Sequence, residues 1–183
     1  MREPDQGPDS PAAGPDAPQG ITIRPATETD EHELVQLIAG FRVALGELRN
    51  RMPAPDLEAA SAELEEYRAA SYPIYVAEAA GDRLAGYVVC KIEGSVVWAE
   101  SLYVDPAYRR QGIAAALYAA AERLSAELGG DTVYTWVHPN NDSMIAFLRS
   151  RGYTVLNLVE LRRPYPGEAI ENTIQVGDHH FES

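Results

Sequence analysis

The sequence is poor in cysteine, in lysine and in positive charge of any kind, and it contains no long apolar run. A single cysteine, Cys90, excludes an internal disulfide, and its place in an apolar strand-like run reads as core rather than as a nucleophile. The apolar runs are far too short to span a bilayer, so no membrane partner is expected. Met1-Arg2-Glu3-Pro4-Asp5 has no apolar core behind its arginine, which excludes a secretory signal and makes the cytoplasm the expected compartment. The 15 lysines and arginines face 28 acidic residues, a formal net charge of −13. Such a surface repels nucleic acid and favours cationic small molecules or basic protein segments. No run supplies the basic face that a nucleic-acid module needs. Lys91 is the only lysine, and this bias fits genome composition or adaptation to high salt. No Cys/His set has metal-ligand spacing, so no metal is expected, and the pair His179-His180 lies in a polar tail and reads as solvated.

What is present is enough for one domain with an ordinary core: 183 residues, 45% hydrophobic. Residues 1–20 are mostly Pro, Asp, Gly, Ala, Ser and Gln, with no large apolar residue after Met1. They cannot bury enough surface to offset ordering entropy and are expected to be a disordered leader. The folded domain is expected over 21–165, and 166–183 is an acidic, weakly patterned tail.

Order begins with a short alternating strand, Ile21 to Arg24, closed by Pro25. Thr27-Glu28-Thr29-Asp30 has capping-box spacing. Leu34, Leu37, Ile38, Phe41, Leu45 and Leu48 then recur at helical spacing, which predicts a helix over about 28–48. Asp56 can cap a second helix over about 57–70, whose acidic run Glu63, Glu65, Glu66 reads as its solvated side. Strands are expected at Ile74 to Ala79 and Leu84 to Ile92, split by the hairpin signal Ala80-Gly81-Asp82-Arg83, and again at Ser95 to Val104. By simple alternation Val96, Trp98, Glu100 and Leu102 share one face of that third strand, which sets a carboxylate among apolar neighbours.

A turn at Asp105-Pro106 follows, then Arg109-Arg110-Gln111-Gly112 and a long apolar-periodic helix over about Arg110 to Leu128. Its expected stripe is Ile113, Leu117, Ala120, Ala121, Leu124 and Leu128, and Gly129-Gly130 end it. This order gathers unpaired backbone N–H groups, a residue without Cβ and two cations at one helix start, a prepared site for a phosphate or pyrophosphate. Further strands are expected at Asp131 to Val137 and Tyr153 to Leu161, with a short helix between them capped by Asn141 or Asp142, and a short strand at Thr173 to Val176. The order β-α-α-β-β-β-α-β-α-β predicts an α/β (α+β) fold with antiparallel strands first and a parallel pair around the central helix.

At Val104-Asp105-Pro106 and Arg109-Arg110-Gln111-Gly112-Ile113-Ala114 the chain resembles the GNAT superfamily of N-acetyltransferases, which use acetyl-CoA. The likeness runs over about 21–163 and includes Asn141 and Gly152-Tyr153. It implies a mixed sheet of six to seven strands flanked by about four helices, with a bulged strand splayed from its parallel neighbour. It implies that the amides of about Arg110 to Ala115, helped by Arg109, hold the coenzyme pyrophosphate. Leu102, Tyr103 and Val104 would line the pantetheine arm, and Asn141 matches the family asparagine that touches it. Asn141 as a plain N-cap fits equally well. A homodimer is also compatible with such a fold.

Amine acetylation needs a neutral amine, attack on the thioester and a proton for the leaving thiolate. Glu100 is the candidate base, because burial beside Trp98 would raise its pKa. It can equally be a carboxylate that only binds a cationic amine, or one facing solvent at the sheet edge. Leu148 stands where many members of the family carry a tyrosine proton donor, so that role is empty or filled otherwise. Two activities follow. One is direct acetyl transfer from acetyl-CoA to a primary amine of a small molecule or protein. The other is an acyl-CoA-binding regulatory module with little or no transferase activity.

Overall fold

The computed structural model describes residues 17–167, 170 and 172–182. Most of the expected leader lies outside the described residues. The chain divides into two compact units: the chain up to Glu47 with Met52–Trp136, and Leu48–Arg51 with the chain from Val137 onward.

The first unit is built on a sheet in the order β1 (Thr22–Pro25), β2 (Ile74–Ala79), β3 (Arg83–Glu93), β4 (Val96–Val104), β5 (Val133–Tyr134). The first four strands are antiparallel neighbours, and β4 and β5 run parallel. The β2–β3 hairpin turns through Gly81 at φ 79° and Asp82 at φ 58°, the paired left-handed residues that match the twist of the flanking strands. Helices α1 (Glu31–Glu47) and α2 (Leu57–Ala69) cover one face, where Leu34, Leu37, Ile38 and Leu64 pack on Val76, Tyr87 and Val89. Helix α3 (Ile113–Glu127) lies against β3 and β4 and buries Ile113, Leu117, Ala120 and Ala121. Its alanines leave little bulk between helix and strand. Leu128, expected in that stripe, is 40% exposed, because the helix has already ended and Gly129 at φ 79° turns the chain away.

Cys90 is fully buried, and burial pushes its thiol up to about 12, which leaves it an inert core residue. Gly86 is required by close approach: a Cβ there would lie 2.5 Å from the Tyr103 carbonyl oxygen. Any side chain would pry β4 from β3 where β4 ends.

The second unit holds α4 (Asp142–Ser150), β6 (Thr173–Val176) and β7 (His179–Glu182), the last two paired antiparallel as a separate sheet. The described residues thus form four helices, a mixed sheet of five strands and a sheet of two, rather than one sheet of six to seven. Two expected strands are corrected. Tyr153 to Leu161 forms no strand: Val155, Leu156 and Leu158 are at least 69% exposed and the stretch joins no ladder. Its branched and leucine-rich composition favours extension, but a strand also needs a partner edge. The expected strand Asp131 to Val137 shrinks to Val133–Tyr134 for the same reason. The histidines of the tail are exposed on β7, and no group of metal-binding side chains occurs among the described residues.

The entry to α1 is fastened by a buried carboxylate. Asp30 accepts from the Thr27 N–H at 2.7 Å and from both terminal nitrogens of Arg24 at 2.7 and 2.8 Å, while Arg24 also pairs with Glu78. The Arg24 guanidinium holds the Asp30 carboxyl down, from 3.8 to about 2. A depressed carboxyl stabilises the fold above its ordinary value and loses that contribution as pH falls from about 3.8 towards 2. Asp30→Asn should therefore cost about 2 kcal/mol at neutral pH and flatten the acid side of the stability profile. Urea unfolding between pH 2.5 and 7, roughly the window of that titration, measures both.

Candidate functional site

Strand β4 has a strand on each side only over its first half. Val97 and Trp98 pair with Val133 and Tyr134 of β5, and the ladder ends there. The next carbonyl, of Ala99, accepts from the Thr135 hydroxyl at 3.1 Å. On the other edge the register with β3 slips: Cys90 opposes Ala99 and Val89 opposes Ser101, so Glu100 is the extra residue of a bulge. A bulge bends a strand and sharpens its twist. Beyond Glu100, β4 follows β3 and parts from β5.

The bulge also changes which side chains share a face. Cross-strand partners point the same way, so Trp98 opposite Lys91, Ser101 opposite Val89 and Tyr103 opposite Tyr87 all face α1 and α2. Leu102, opposite Val88, turns to the α3 side. The expected set of Val96, Trp98, Glu100 and Leu102 is thus corrected: simple alternation fails across an inserted residue. On the α1/α2 side the Trp98 ring stacks on Trp136 at 4.4 Å and leans on Tyr134 at 5.1 Å. Tyr87 and Ser101 share a buried hydroxyl hydrogen bond of 2.7 Å. Tyr103 meets Phe41 edge-on, and a Cβ on Gly40 would lie 2.8 Å from its hydroxyl.

Glu100 is the anomalous group in this wall. Its Oε2 is sealed from solvent and has no hydrogen-bond partner, and the same holds for Trp98 Nε1. Burial pushes the Glu100 carboxyl above the ordinary carboxylate range; Lys91 pulls it back, and Glu63 and Glu93 push it further. It is not a carboxylate turned out to solvent at the sheet edge.

Glu63 is the residue that the sequence reading missed. It is not on the solvated side of α2 but only 7% exposed, and it accepts hydrogen bonds from Arg42 and from the Tyr67 hydroxyl. The signal was present as spacing. Ala60, Leu64 and Tyr67 mark the inward stripe of α2, and position 63 lies on it.

At the end of β4 the Asp105 carboxylate caps a 3-10 turn, Pro106–Tyr108, by accepting from the Ala107 N–H at 2.8 Å. Arg110 at φ 64° and Gly112 at φ 83° then swing the chain into α3, which begins at Ile113 and not near Arg110. Two left-handed residues cannot belong to a right-handed helix. The first helical bond runs from the Ala116 N–H to the Gly112 carbonyl at 3.1 Å. The N–H groups of Ile113, Ala114 and Ala115 therefore have no acceptor in the helix. Gly112 is exposed, and the nearest atom to a Cβ there is Pro18 Cγ at 3.5 Å. Donors, absent bulk and positive charge fit a pyrophosphate. Arg110 and Gln111 are exposed beside them. Arg109 is more constrained: its Nε donates to the Val104 carbonyl at 3.0 Å and its guanidinium lies 5.5 Å from the Tyr103 ring centroid. Val104 thus has its carbonyl engaged, while Leu102 lies on the part of β4 beyond the β5 ladder.

Asn141 lies in the second unit and caps α4, accepting from the Met144 N–H at 3.1 Å and the Ser143 hydroxyl at 3.0 Å. Leu148, on the same helix, is buried.

Residues 42–153, more than half of the chain, match the family model described as "Acetyltransferase (GNAT) family". Several solved structures share the fold. The aminoglycoside acetyltransferase AAC(6')-Iy, in complex with a bisubstrate analogue of CoA and acetylneamine, is 22% identical, with a TM-score of 0.59 over 79% of this chain and 98% of that one. The aminoglycoside acetyltransferase meta-AAC0020 from an uncultured soil metagenomic sample, in complex with trehalose, is 22% identical, with a TM-score of 0.59 over 80% and 96%. A GNAT-family acetyltransferase from Staphylococcus aureus Mu50 is 17% identical, with a TM-score of 0.59 over 72% and 83%.

The Glu63 network gives a test of the α1/α2 wall. Glu63→Ala should cost about 2 kcal/mol in urea unfolding, because it strips the Tyr67 hydroxyl and Arg42 of their acceptor. Glu63→Gln keeps one acceptor oxygen and should cost less than half as much.

Proposed function

Because the chain belongs to the acetyltransferase (GNAT) family, we propose that it transfers an acetyl group from acetyl-CoA directly to a primary amine of a small cationic molecule. The protein is an acyltransferase, and the acceptor and the roles of individual residues are what this reading adds. The observation that carries it is the parting of β4 from β5 at the Glu100 bulge, in line with the open helix start at Gly112.

Acetyl-CoA supplies an acetyl group activated as a thioester. The amides of Ile113, Ala114 and Ala115, with Gly112 leaving room and Arg109, Arg110 and Gln111 alongside, would hold the pyrophosphate. Leu102, Tyr103 and Val104 would line the arm, and Asn141 matches the family asparagine that touches it. Glu100 takes the proton from the incoming ammonium. A carboxylate whose pKa is raised by burial is a stronger base than an ordinary glutamate. With Leu148 in place of a tyrosine, the proton for the leaving thiolate comes from the protonated Glu100 or from water. The acidic surface favours a cationic acceptor, and the aminoglycoside acetyltransferases among the similar structures support a small-molecule amine.

The domain proposed to do this spans 21–165, with a leader before it and a tail after it. No helix among the described residues is long and apolar enough to cross a membrane, and we place the activity in the cytoplasm. Leu148 also favours a second reading, a module that binds acyl-CoA as a signal without turnover.

Acetyl-CoA at about a hundred times its Kd should stabilise the wild type by about 2.7 kcal/mol, a rise of a few degrees in Tm. Gly112→Glu should abolish the rise by putting a carboxylate where the pyrophosphate binds. Steady release of free CoA with an amine panel separates the transferase from the binding module.

Glu100→Gln should keep the coenzyme-dependent rise and lower kcat by about a hundredfold. In the wild type kcat/KM should fall as pH drops through the raised Glu100 value, a limb that the variant lacks. Unchanged turnover in Glu100→Gln would remove Glu100 from the mechanism.

A further inference from the structure

Lys91 is the only lysine in a chain that otherwise places arginine at its cationic positions. It sits on β3 directly opposite Trp98, on the face that carries Tyr87 and Val89. Glu100 is the bulge residue between Ala99, the partner of Cys90, and Ser101, the partner of Val89, so it stands one to two residues along the ladder from the Lys91–Trp98 pair. Lys91 and Glu100 are close enough for the Lys91 charge to act on the Glu100 carboxyl. Lys91 Nζ lies 2.8 Å from Glu93 Oε1 and 5.6 Å from the Trp136 ring centroid. Its side chain is 25% exposed and Trp136 is 52% exposed, so the amine stands at an opening and is not sealed in the wall. An arginine here would offer no nucleophile, because its guanidinium does not deprotonate in proteins. Lysine can, but the Glu93 carboxylate beside it holds the Lys91 ammonium above its ordinary value, so a base is needed to free the amine.

We infer that Lys91 is itself an acceptor and that the protein acetylates its own Lys91 side chain. This rests on the acetyl-transfer reading given above. Glu100 takes a proton from the Lys91 ammonium. The freed lone pair on Nζ forms the new N–C bond to the acetyl carbonyl carbon of acetyl-CoA, and the C–S bond breaks. The sulfur leaves as thiolate and takes up one proton as Nζ loses its second. The products are an N-acetyl-lysine and free CoA, with no oxidant or reductant consumed. The neutral amide can keep neither the ion pair with Glu93 nor the cation–π contact with Trp136. Acetylation therefore removes an internal cation from the face that a cationic acceptor would approach, and leaves Glu93 and the exposed Trp136 ring for that acceptor.

The test is incubation of the full chain with acetyl-CoA and no added amine, followed by intact-mass measurement and peptide mapping. The expected result is one acetyl group on Lys91, added at a rate independent of protein concentration. It should be absent in Lys91→Arg and in Gly112→Glu, and slowed by about a hundredfold in Glu100→Gln. Lys91→Arg should keep the wild-type melting temperature and acetyl-CoA thermal shift, which separates loss of the acceptor from loss of the fold. Equal labelling of Lys91 in wild type and Gly112→Glu would mark spontaneous chemistry and overturn the inference, as would a rate proportional to protein concentration. Wild type that binds acetyl-CoA and turns over an added amine but leaves Lys91 unmodified would overturn this inference alone. Wild type that neither binds acetyl-CoA nor turns over any amine would overturn the transfer reading with it.

Discussion

Strand β4 must satisfy two neighbours that cannot both follow it. β3 pairs with it along its whole length, and β5 pairs with it for two residues. One inserted residue, Glu100, resolves the conflict by bending the strand after Ala99. The Thr135 hydroxyl then takes up the Ala99 carbonyl, so the parting leaves no orphan acceptor at its apex. Everything of chemical interest in the first unit follows from that bend. It inserts Glu100 between Ala99 and Ser101, turns Leu102 to the α3 side, and sends the chain past Asp105 into the exposed start of α3.

Charge is distributed around this bend in two ways. Glu63 is buried and fully engaged by Arg42 and Tyr67, so it acts as structure that braces α2 against α1. Glu100 has one oxygen with no hydrogen-bond partner, whereas both oxygens of Glu63 are engaged. Burial sets the direction of its pKa shift, and Lys91 opposes it from across the β3–β4 pair. In a chain of net charge −13, a cation placed there is a local departure from the general field and bears directly on the proposed base.

Much of this was legible in the residues. Capping chemistry located Asp56 and Asn141, because an Asp or Asn before a periodic run satisfies free amides wherever it occurs, and the Thr27–Asp30 spacing is realised by the Asp30 carboxylate accepting from the Thr27 N–H. The glycine-bearing loop before α3 was readable because only residues that tolerate left-handed φ can make that entry, although the helix starts three residues later than its periodicity suggested. The misreadings share one cause. Glutamate on a helix is usually solvated, and the burial of Glu63 depends on Arg42 arriving from another helix. Leu102 was put on the wrong face because alternation assumes an unbroken ladder. Tyr153 to Leu161 was given a strand because its composition favours extension, and composition does not supply a partner edge.

The amino-acid sequence alone determined the order and kind of most elements, the glycine-bearing loop that leads into α3, and the likeness to the acetyltransferase family. These are local properties: periodicity, capping and left-handed turns act within a few residues of chain. Only the tertiary structure decided that Glu100 occupies a bulge, that β5 leaves β4 after two pairs, that Glu63 turns inward, and that Lys91 pairs with Trp98 next to that bulge. Those four depend on register between strands and on which helix covers which face, and residues far apart in the chain set both.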